Sequence, residues 1–302
     1  MGTAPAFRSL PTRSNFLGLD ARHCRFDTAR IAVLPAPYEH TVSYGGGTAR
    51  GPSAILRASH YVEFYDEELD RELCFEAGIV TVPPVAFGRR VNRSALELLE
   101  RMVDRLLEHR KWVITLGGEH TISFAPIAAH LRQYPALSVL QVDAHSDLRD
   151  SYQGNPFSHA SIMARVCEIL DPARLVQVGI RAQSSEEALF IRERGVRTTY
   201  AHQIRATDSA TWQDQALAGL SDEVYISIDV DGLDPSIMPS TGTPEPNGLL
   251  WAEVVSLLRR VGERKRIVGC DLVELAPVRG VIHPDLTAAK LAYKLMNFAF
   301  PR

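Results

Sequence analysis

Three short segments hold most of the side chains able to do chemistry on a bound molecule. They are Gly117-Gly118-Glu119-His120, Asp143-Ala144-His145-Ser146-Asp147 and Asp229-Val230-Asp231. Each directly follows an apolar run such as Trp112-Val113-Ile114-Thr115-Leu116. A lone Asp-x-Asp there ordinarily caps a loop, and a lone Gly-Gly-Glu-His is ordinarily a turn with a surface histidine. Three polar ligand types within five residues serve no packing purpose, and the three segments together point to a metal site. Extended backbone puts residues i, i+2 and i+4 on one face, so Asp143, His145 and Asp147 are expected to converge, as are Asp229 and Asp231. With His120 they make four carboxylates and two imidazoles. That is too much negative charge to leave unpaired in a cleft, and divalent cations resolve the conflict. Six ligands are too many for one tetrahedral zinc and no thiolate accompanies them, so a harder ion is expected, Mn²⁺ first. Two ions sharing a bridging carboxylate fit the set; such pairs sit ~3.5–4 Å apart and make hydroxide available at neutral pH.

These segments need a scaffold that brings chain-distant strand ends together. Strand-like runs are expected at 30–35, 78–82, 112–116, 137–143, 175–180, 196–200, 223–229 and 267–273. Several are apolar throughout, as parallel strands buried on both faces require. Helical periodicity is clearest over 94–110, with further helices expected at 52–64, 184–194 and 251–260. The alternation predicts a single α/β domain over 1–302, a mostly parallel eight-stranded sheet covered by helices on both sides, with residues 1–28 an irregular extension. Ligands in such sheets bind at the carboxyl ends of strands where the strand order reverses.

Composition excludes other classes. In 302 residues, 33 Lys+Arg face 36 Asp+Glu, giving a net charge of −3. That balance argues against a nucleic-acid partner. The basic run Arg259-Arg260 with Arg264-Lys265-Arg266 is expected to complement a helix C-terminus. No apolar stretch approaches a membrane span, and Met1–Ala6 fits neither a secretory leader nor an acylation signal. Cys24, Cys74, Cys167 and Cys270 are scattered, without a CxxC pair, and read as reduced, mostly buried thiols of a cytoplasmic protein. Gly45-Gly46-Gly47 lacks the Lys-Ser/Thr of a phosphate loop and is expected to be a turn before the helix that Pro52 opens.

The metal segments, together with Ser227-Ile228-Asp229-Val230-Asp231-Gly232-Leu233-Asp234-Pro235, Thr241-Gly242-Thr243-Pro244 and Asp271-Leu272-Val273-Glu274, resemble the arginase/agmatinase (ureohydrolase) family over most of the chain. The resemblance implies a three-layer α/β/α fold and a binuclear manganese enzyme that hydrolyses a guanidinium group to urea and an amine. It implies that His120, Asp143, Asp147 and Asp229 hold one Mn²⁺ and that Asp143, His145, Asp229 and Asp231 hold the other. Glu274 then binds the guanidinium, Thr243 lies against it, Asp147 protonates the departing amine, and His159 carries protons at the mouth of the site. Without the family, His159 reads as a helix-start histidine and Glu274 as a strand-end acid. The family also implies a homo-oligomer, trimer or hexamer.

Arginases place an acid shortly after the strand equivalent to 175–180. Here the stretch is Arg181-Ala182-Gln183-Ser184, with no acid before Glu186. That, with Thr41–Thr48 and Ser158–Ser161, resembles the agmatinase branch. The expected substrate is the small cationic guanidine agmatine, with N1-aminopropylagmatine as the alternative and guanidinobutyrate or a related guanidine behind it; Glu245 is a candidate for the distal ammonium. Competing readings are a non-catalytic metal-binding protein and a single-zinc deacetylase of similar architecture, against which the second Asp-x-Asp speaks.

Overall fold

The computed structural model describes residues 7–301; Met1–Ala6, on which the expectation of neither leader nor acylation signal falls, lie outside the described residues. Eight strands form one sheet: β1 (Ile31–Ala36), β2 (Ile79–Thr81), β3 (Trp112–Gly117), β4 (Ser138–Val142), β5 (Leu175–Ile180), β6 (Arg197–Tyr200), β7 (Glu223–Asp229) and β8 (Arg266–Val273). Their order is β2-β1-β3-β8-β7-β4-β5-β6. All pairings are parallel, where the sequence had suggested a mostly parallel sheet.

The helices are α1 (Gly51–Ser59), α2 (Leu73–Ala77), α3 (Asn92–Glu108), α4 (Phe124–Gln133), α5 (Ile162–Val166), α6 (Ser185–Arg194), α7 (Ala201–Ala206), α8 (Ser209–Ala218), α9 (Trp251–Arg264) and α10 (His283–Ala299). Alternate strand residues serve two cores. Ile31 and Val33 of β1 join the core that contains α1, α8, α9 and α10, whereas Ala32 and Leu34 join the core that contains α3, α4 and α5. A strand buried on both faces needs apolar residues at every position, which is why these runs lack alternation.

Two helix limits differ from the sequence reading by four residues or more, the others by at most two. The helix expected over 52–64 stops at Ser59. Ser59 Oγ accepts the Leu17 amide at 2.9 Å and His60 Nε2 lies 3.0 Å from the Asn15 carbonyl, so bonds to the N-terminal segment turn the chain away. The helix expected over 251–260 continues to Arg264, so the basic run is partly helical. Arg260 and Arg264 share Asp214, and Arg259 meets Glu68, so these three of the five cations are paired with acids on neighbouring segments. Near the N-terminus the chain makes 3₁₀ turns at Thr12–Ser14 and Phe16–Gly18, with Phe16 and Leu17 buried. All four cysteines are free and buried. Among the described residues no helix is long and apolar enough to cross a membrane.

The topology dictates where a site can form. β3 and β4 follow one another in the chain but lie on opposite sides of the β8–β7 pair. The connections therefore diverge over the carboxyl ends of β3, β8, β7 and β4, leaving a crevice there.

Candidate metal centre

The four central strands deliver one chemical group each to that crevice. β3 runs into His120, β8 into Glu274, β4 into Asp143, and β7 ends on Asp229. Gly118 permits the first of these turns. A Cβ built on it would sit 1.8 Å from the Tyr38 carbonyl oxygen, so only glycine lets the two segments pass.

The six expected ligands come together, though not along extended strands. β4 ends at Val142, Asp147 has a left-handed φ of 55°, and Asp231 lies in the 3₁₀ turn Val230–Gly232. The alternation rule thus gave the convergence through the wrong backbone: tight turns past the strand ends aim the side chains. Local bonds fix those turns. Asp143 Oδ1 accepts the His145 amide at 2.6 Å, Asp229 Oδ1 accepts the Asp231 amide at 2.8 Å, and Asp231 Oδ1 accepts the Ala144 amide at 3.1 Å. In each acid one oxygen is thereby held by backbone while the other is turned toward its neighbours.

His120 Nδ1 is surrounded by carboxylates: Asp147 Oδ2 at 2.9 Å, Asp143 Oδ2 at 3.1 Å and Asp229 Oδ2 at 3.5 Å. Although buried, this nitrogen has no hydrogen-bond partner. Its ring is set from behind, because Nε2 lies 3.0 Å from Ser227 Oγ, and Ser227 donates to Asp271 Oδ1 at 2.8 Å. With its hydroxyl proton committed to Asp271, Ser227 can only accept from Nε2–H, so Nδ1 is the nitrogen left to face the acids. Burial opposes charge on the ring, but Asp143 and Asp147 outweigh it and raise the imidazole well above its ordinary range. His145 Nδ1 lies 3.0 Å from Asp231 Oδ2 and 3.8 Å from Asp143 Oδ1. Two donor groups result, His120–Asp143–Asp147 and Asp143–His145–Asp231, each with ligand atoms within 4.8 Å of one another and with Asp143 common to both.

Electrostatics match that donor set. Burial, then the Asp231 and Asp147 charges, push the Asp143 carboxyl up to about 7. Burial with the neighbouring Asp231 and Asp143 raises Asp229 well above the carboxylate range. Burial opposes charge on His145, but Asp231 and Asp143 outweigh it and push this imidazole up to about 10. The site alone therefore retains protons to limit its own repulsion, and divalent cations are the natural replacement for them.

The cluster floors a cavity of about 440 Å³ that also exposes His159, Thr243, Glu245 and Glu274. Glu274 has a left-handed φ of 66°, its Oε1 accepts the His120 amide at 2.6 Å, and burial followed by the Glu119 charge raises its carboxyl well above the usual range. Thr243 Oγ1 lies 3.4 Å from Asp231 Oδ2. A hollow of about 540 Å³ at the opposite sheet edge is larger, but it is lined by Arg30, Arg110 and Arg266 beside helix ends and gathers no such chemistry.

Three features escaped the sequence reading. Arg181 lines the cavity, yet its guanidinium donates to backbone carbonyls, Asp231 at 2.6 Å and Glu245 at 3.0 Å among them. Glu187, not Glu186, reaches the cavity, and its oxygens accept the Ser184 amide at 2.7 Å and the Leu148 amide at 3.0 Å. Glu119 was visible inside its motif without a role, and it binds the 38–41 loop. The glycine turn behaves as expected: the Glu39 carboxylate accepts the Gly47 and Ala49 amides at 2.9 and 2.8 Å, filling the place of an anion.

An open parallel sheet with a carboxylate–imidazole cluster at its switch point is a scaffold whose side chains could hold metal ions. The family comparison gives it a place: the chain belongs to the arginase family, whose model matches residues 29–297. It is 40% identical to the N(1)-aminopropylagmatine ureohydrolase of Synechocystis sp., over 89% of each chain. Identity to the agmatinase of Bacillus cereus is 35%, covering 88% of this chain and 89% of the relative. The agmatine ureohydrolase of Thermoplasma volcanium superposes with a TM-score of 0.85 at 28% identity, over 95% of this chain and 94% of that one.

Proposed function

We propose that the protein hydrolyses the guanidinium group of agmatine, releasing urea and putrescine, with two Mn²⁺ held by the cluster. One ion would take His120, Asp143, Asp147 and Asp229; the other would take Asp143, His145, Asp229 and Asp231. The observation that carries this reading is the company of Glu274: a half-buried carboxylate that lines the same 440 Å³ cavity as the donor set. A planar guanidinium is met bidentately by a carboxylate, which orients it for attack. Held there, the ions would make a hydroxide nucleophile available at neutral pH.

The remaining steps belong to the chain's own groups. Glu274 and Thr243 fix the guanidinium, Asp147 delivers a proton to the departing amine, and His159 exchanges protons with solvent at the mouth. Both cavity cations are spent elsewhere, Arg181 on backbone carbonyls and Arg149 beside Glu187 at 3.6 Å. The lining is thus biased toward a dication, with Glu245 available for the distal ammonium. Because the acid after β5 is engaged by backbone amides, no free carboxylate stands where arginase would meet an α-amino group. N1-aminopropylagmatine is the second reading, favoured by the 40% identity to enzymes of that name. We place the enzyme in the cytoplasm, in keeping with its four free thiols, and take it to be a homo-oligomer as the family resemblance implies.

Urea release by the manganese-loaded protein against agmatine, N1-aminopropylagmatine, arginine and 4-guanidinobutyrate tests the proposal. Preference for agmatine supports it and preference for N1-aminopropylagmatine selects the second reading. Silence on all four with two metals bound would point to another guanidine or amidine substrate, or to the non-catalytic alternative.

A further inference from the structure

A histidine that passes protons needs a defined tautomer, because only then does one particular ring atom gain and lose the proton. For His159 the surrounding hydrogen bonds decide which. Glu119 is 2% exposed, and its Oε2 accepts the amides of His40 and Thr41, both at 2.7 Å. Its Oε1 accepts the Thr41 hydroxyl at 2.8 Å. Three donors converge on the two oxygens, so both act as acceptors and the Thr41 hydroxyl proton is committed to Glu119. Thr41 Oγ1 then has lone pairs only. It accepts the His159 amide at 3.0 Å and lies 3.0 Å from His159 Nδ1. Nδ1 must therefore carry the hydrogen. The other nitrogen, Nε2, lies 3.3 Å from Ser43 Oγ.

We infer that Glu119 and Thr41 are positioning residues that lock His159 in its Nδ1–H form, making Nε2 the atom that exchanges protons with the substrate cavity. This rests on the reading of His159 as the proton carrier. It adds an orienting acid acting through a hydroxyl, a carboxylate–hydroxyl–imidazole chain built from three separate loops. Glu119 directly precedes His120, so one turn after β3 aims an imidazole at the metal cluster and fixes a second imidazole at the mouth.

The test uses the full chain loaded with diamagnetic Zn²⁺ and labelled with ¹⁵N-histidine, in which two-bond ¹H–¹⁵N correlations identify the protonated ring nitrogen. His159→Asn assigns the resonance. The unmodified protein is expected to show Nδ1–H. In Glu119→Gln the amide oxygen keeps the two backbone donors while the NH₂ faces Thr41 Oγ1. That turns the hydroxyl proton toward His159, and the tautomer is expected to invert to Nε2–H. Thr41→Val is expected to abolish the fixed tautomer and Thr41→Ser to restore it. With Mn²⁺ and agmatine, Glu119→Gln should lose kcat ~10²-fold with KM held within about twofold and metal content unchanged. An unmodified ring protonated at Nε2, or an unchanged ring in Glu119→Gln, overturns the inference. Should Glu119→Gln fail to fold, the Thr41 pair decides: a ring unaffected by Thr41→Val overturns it equally. A His159→Asn enzyme with undiminished turnover instead removes the proton-carrier reading and leaves the tautomer result standing.

Discussion

Glu274 Oε1 accepts the backbone amide of His120 at 2.6 Å, tying the acid proposed to hold the guanidinium to the chain that presents a metal-facing imidazole. The bond spans the adjacent strands β8 and β3, so nucleophile and substrate would be registered by one piece of backbone. In Glu274→Gln the amide oxygen can keep the His120 bond while the charge is lost. Hydrogen bonds to charged groups contribute ~1.5–3 kcal/mol, so kcat/KM on agmatine should fall by about 10–150-fold. Elemental analysis should still find two metals per chain; their loss would make Glu274 a support for the cluster instead.

His159 stands apart from the donor set, held by Thr41 and Ser43 rather than by the acids. His159→Ala should therefore lower kcat ~10²-fold, the low end for general acid–base catalysis, with metal content unchanged. Added imidazole should restore part of the rate.

Stability should depend on pH in opposite ways with and without metal. Asp143, raised to about 7, binds a proton in the folded chain at pH values where the unfolded chain has released it. His145, raised to about 10, does the same above the ordinary imidazole range. In both cases the folded state holds more protons, so the stability of the chelated protein falls as pH rises from about 5 to 9. Metal binding needs those protons gone, so affinity and metal-loaded stability rise over the same interval. Calorimetry with and without chelator measures both slopes, and parallel slopes would show that the cations do not replace these protons.

The ring of His120 is braced by Ser227, which donates to Asp271 at 2.8 Å; Tyr225 donates to the other Asp271 oxygen at 2.9 Å. Burial raises the Asp271 carboxyl to about 6. Ser227→Ala leaves Nε2 without its acceptor and frees the ring to turn. Removing such a support typically weakens metal binding ~10–100-fold, and competition with a fluorescent chelator would read that loss. Unchanged affinity would mean that packing alone orients the imidazole.

The strands were legible because those buried on both faces are largely apolar, whereas β6, Arg197–Tyr200, is not buried and was legible only from its β-branched residues and its place in the strand–helix alternation. The six clustered residues were legible too, because polar ligands directly after apolar strands have no packing role. Their backbone was not. Left-handed φ at Asp147 and Glu274 follows from tertiary bonds between neighbouring strand ends, and neither Asp nor Glu announces that conformation in sequence. The parts of Glu119, Thr41, Ser227 and Asp271 were hidden for a related reason. Thr41 and Glu119 are 78 positions apart, and Ser227 and Asp271 are 44 apart, so only the sheet order brings them together.

The Gly118 turn is where fold and site meet most tightly. A Cβ there would lie 1.8 Å from the Tyr38 oxygen and 2.7 Å from its carbonyl carbon, both backbone atoms that no rotamer change can move. In the same turn the Gly118 amide donates to the Ala36 carbonyl at 3.0 Å and the Glu119 amide to the Tyr38 carbonyl at 2.9 Å. Gly118→Ala must therefore push the 36–41 loop away, displacing Thr41 and the start of His120 together. Overpacking of a rigid contact costs about 1–3 kcal/mol or more, and here metal affinity should fall with stability. Gly154→Ala is the comparison, since nothing lies within 4 Å of its Cβ and only its φ of +76° opposes the change. That strain is about 1–2 kcal/mol. Thermal unfolding in chelator and in excess metal separates the two: Gly154→Ala should keep the full metal-induced rise in Tm, and Gly118→Ala should lose most of it. Equal rises in both variants would show that the cluster does not depend on the close passage of these two loops.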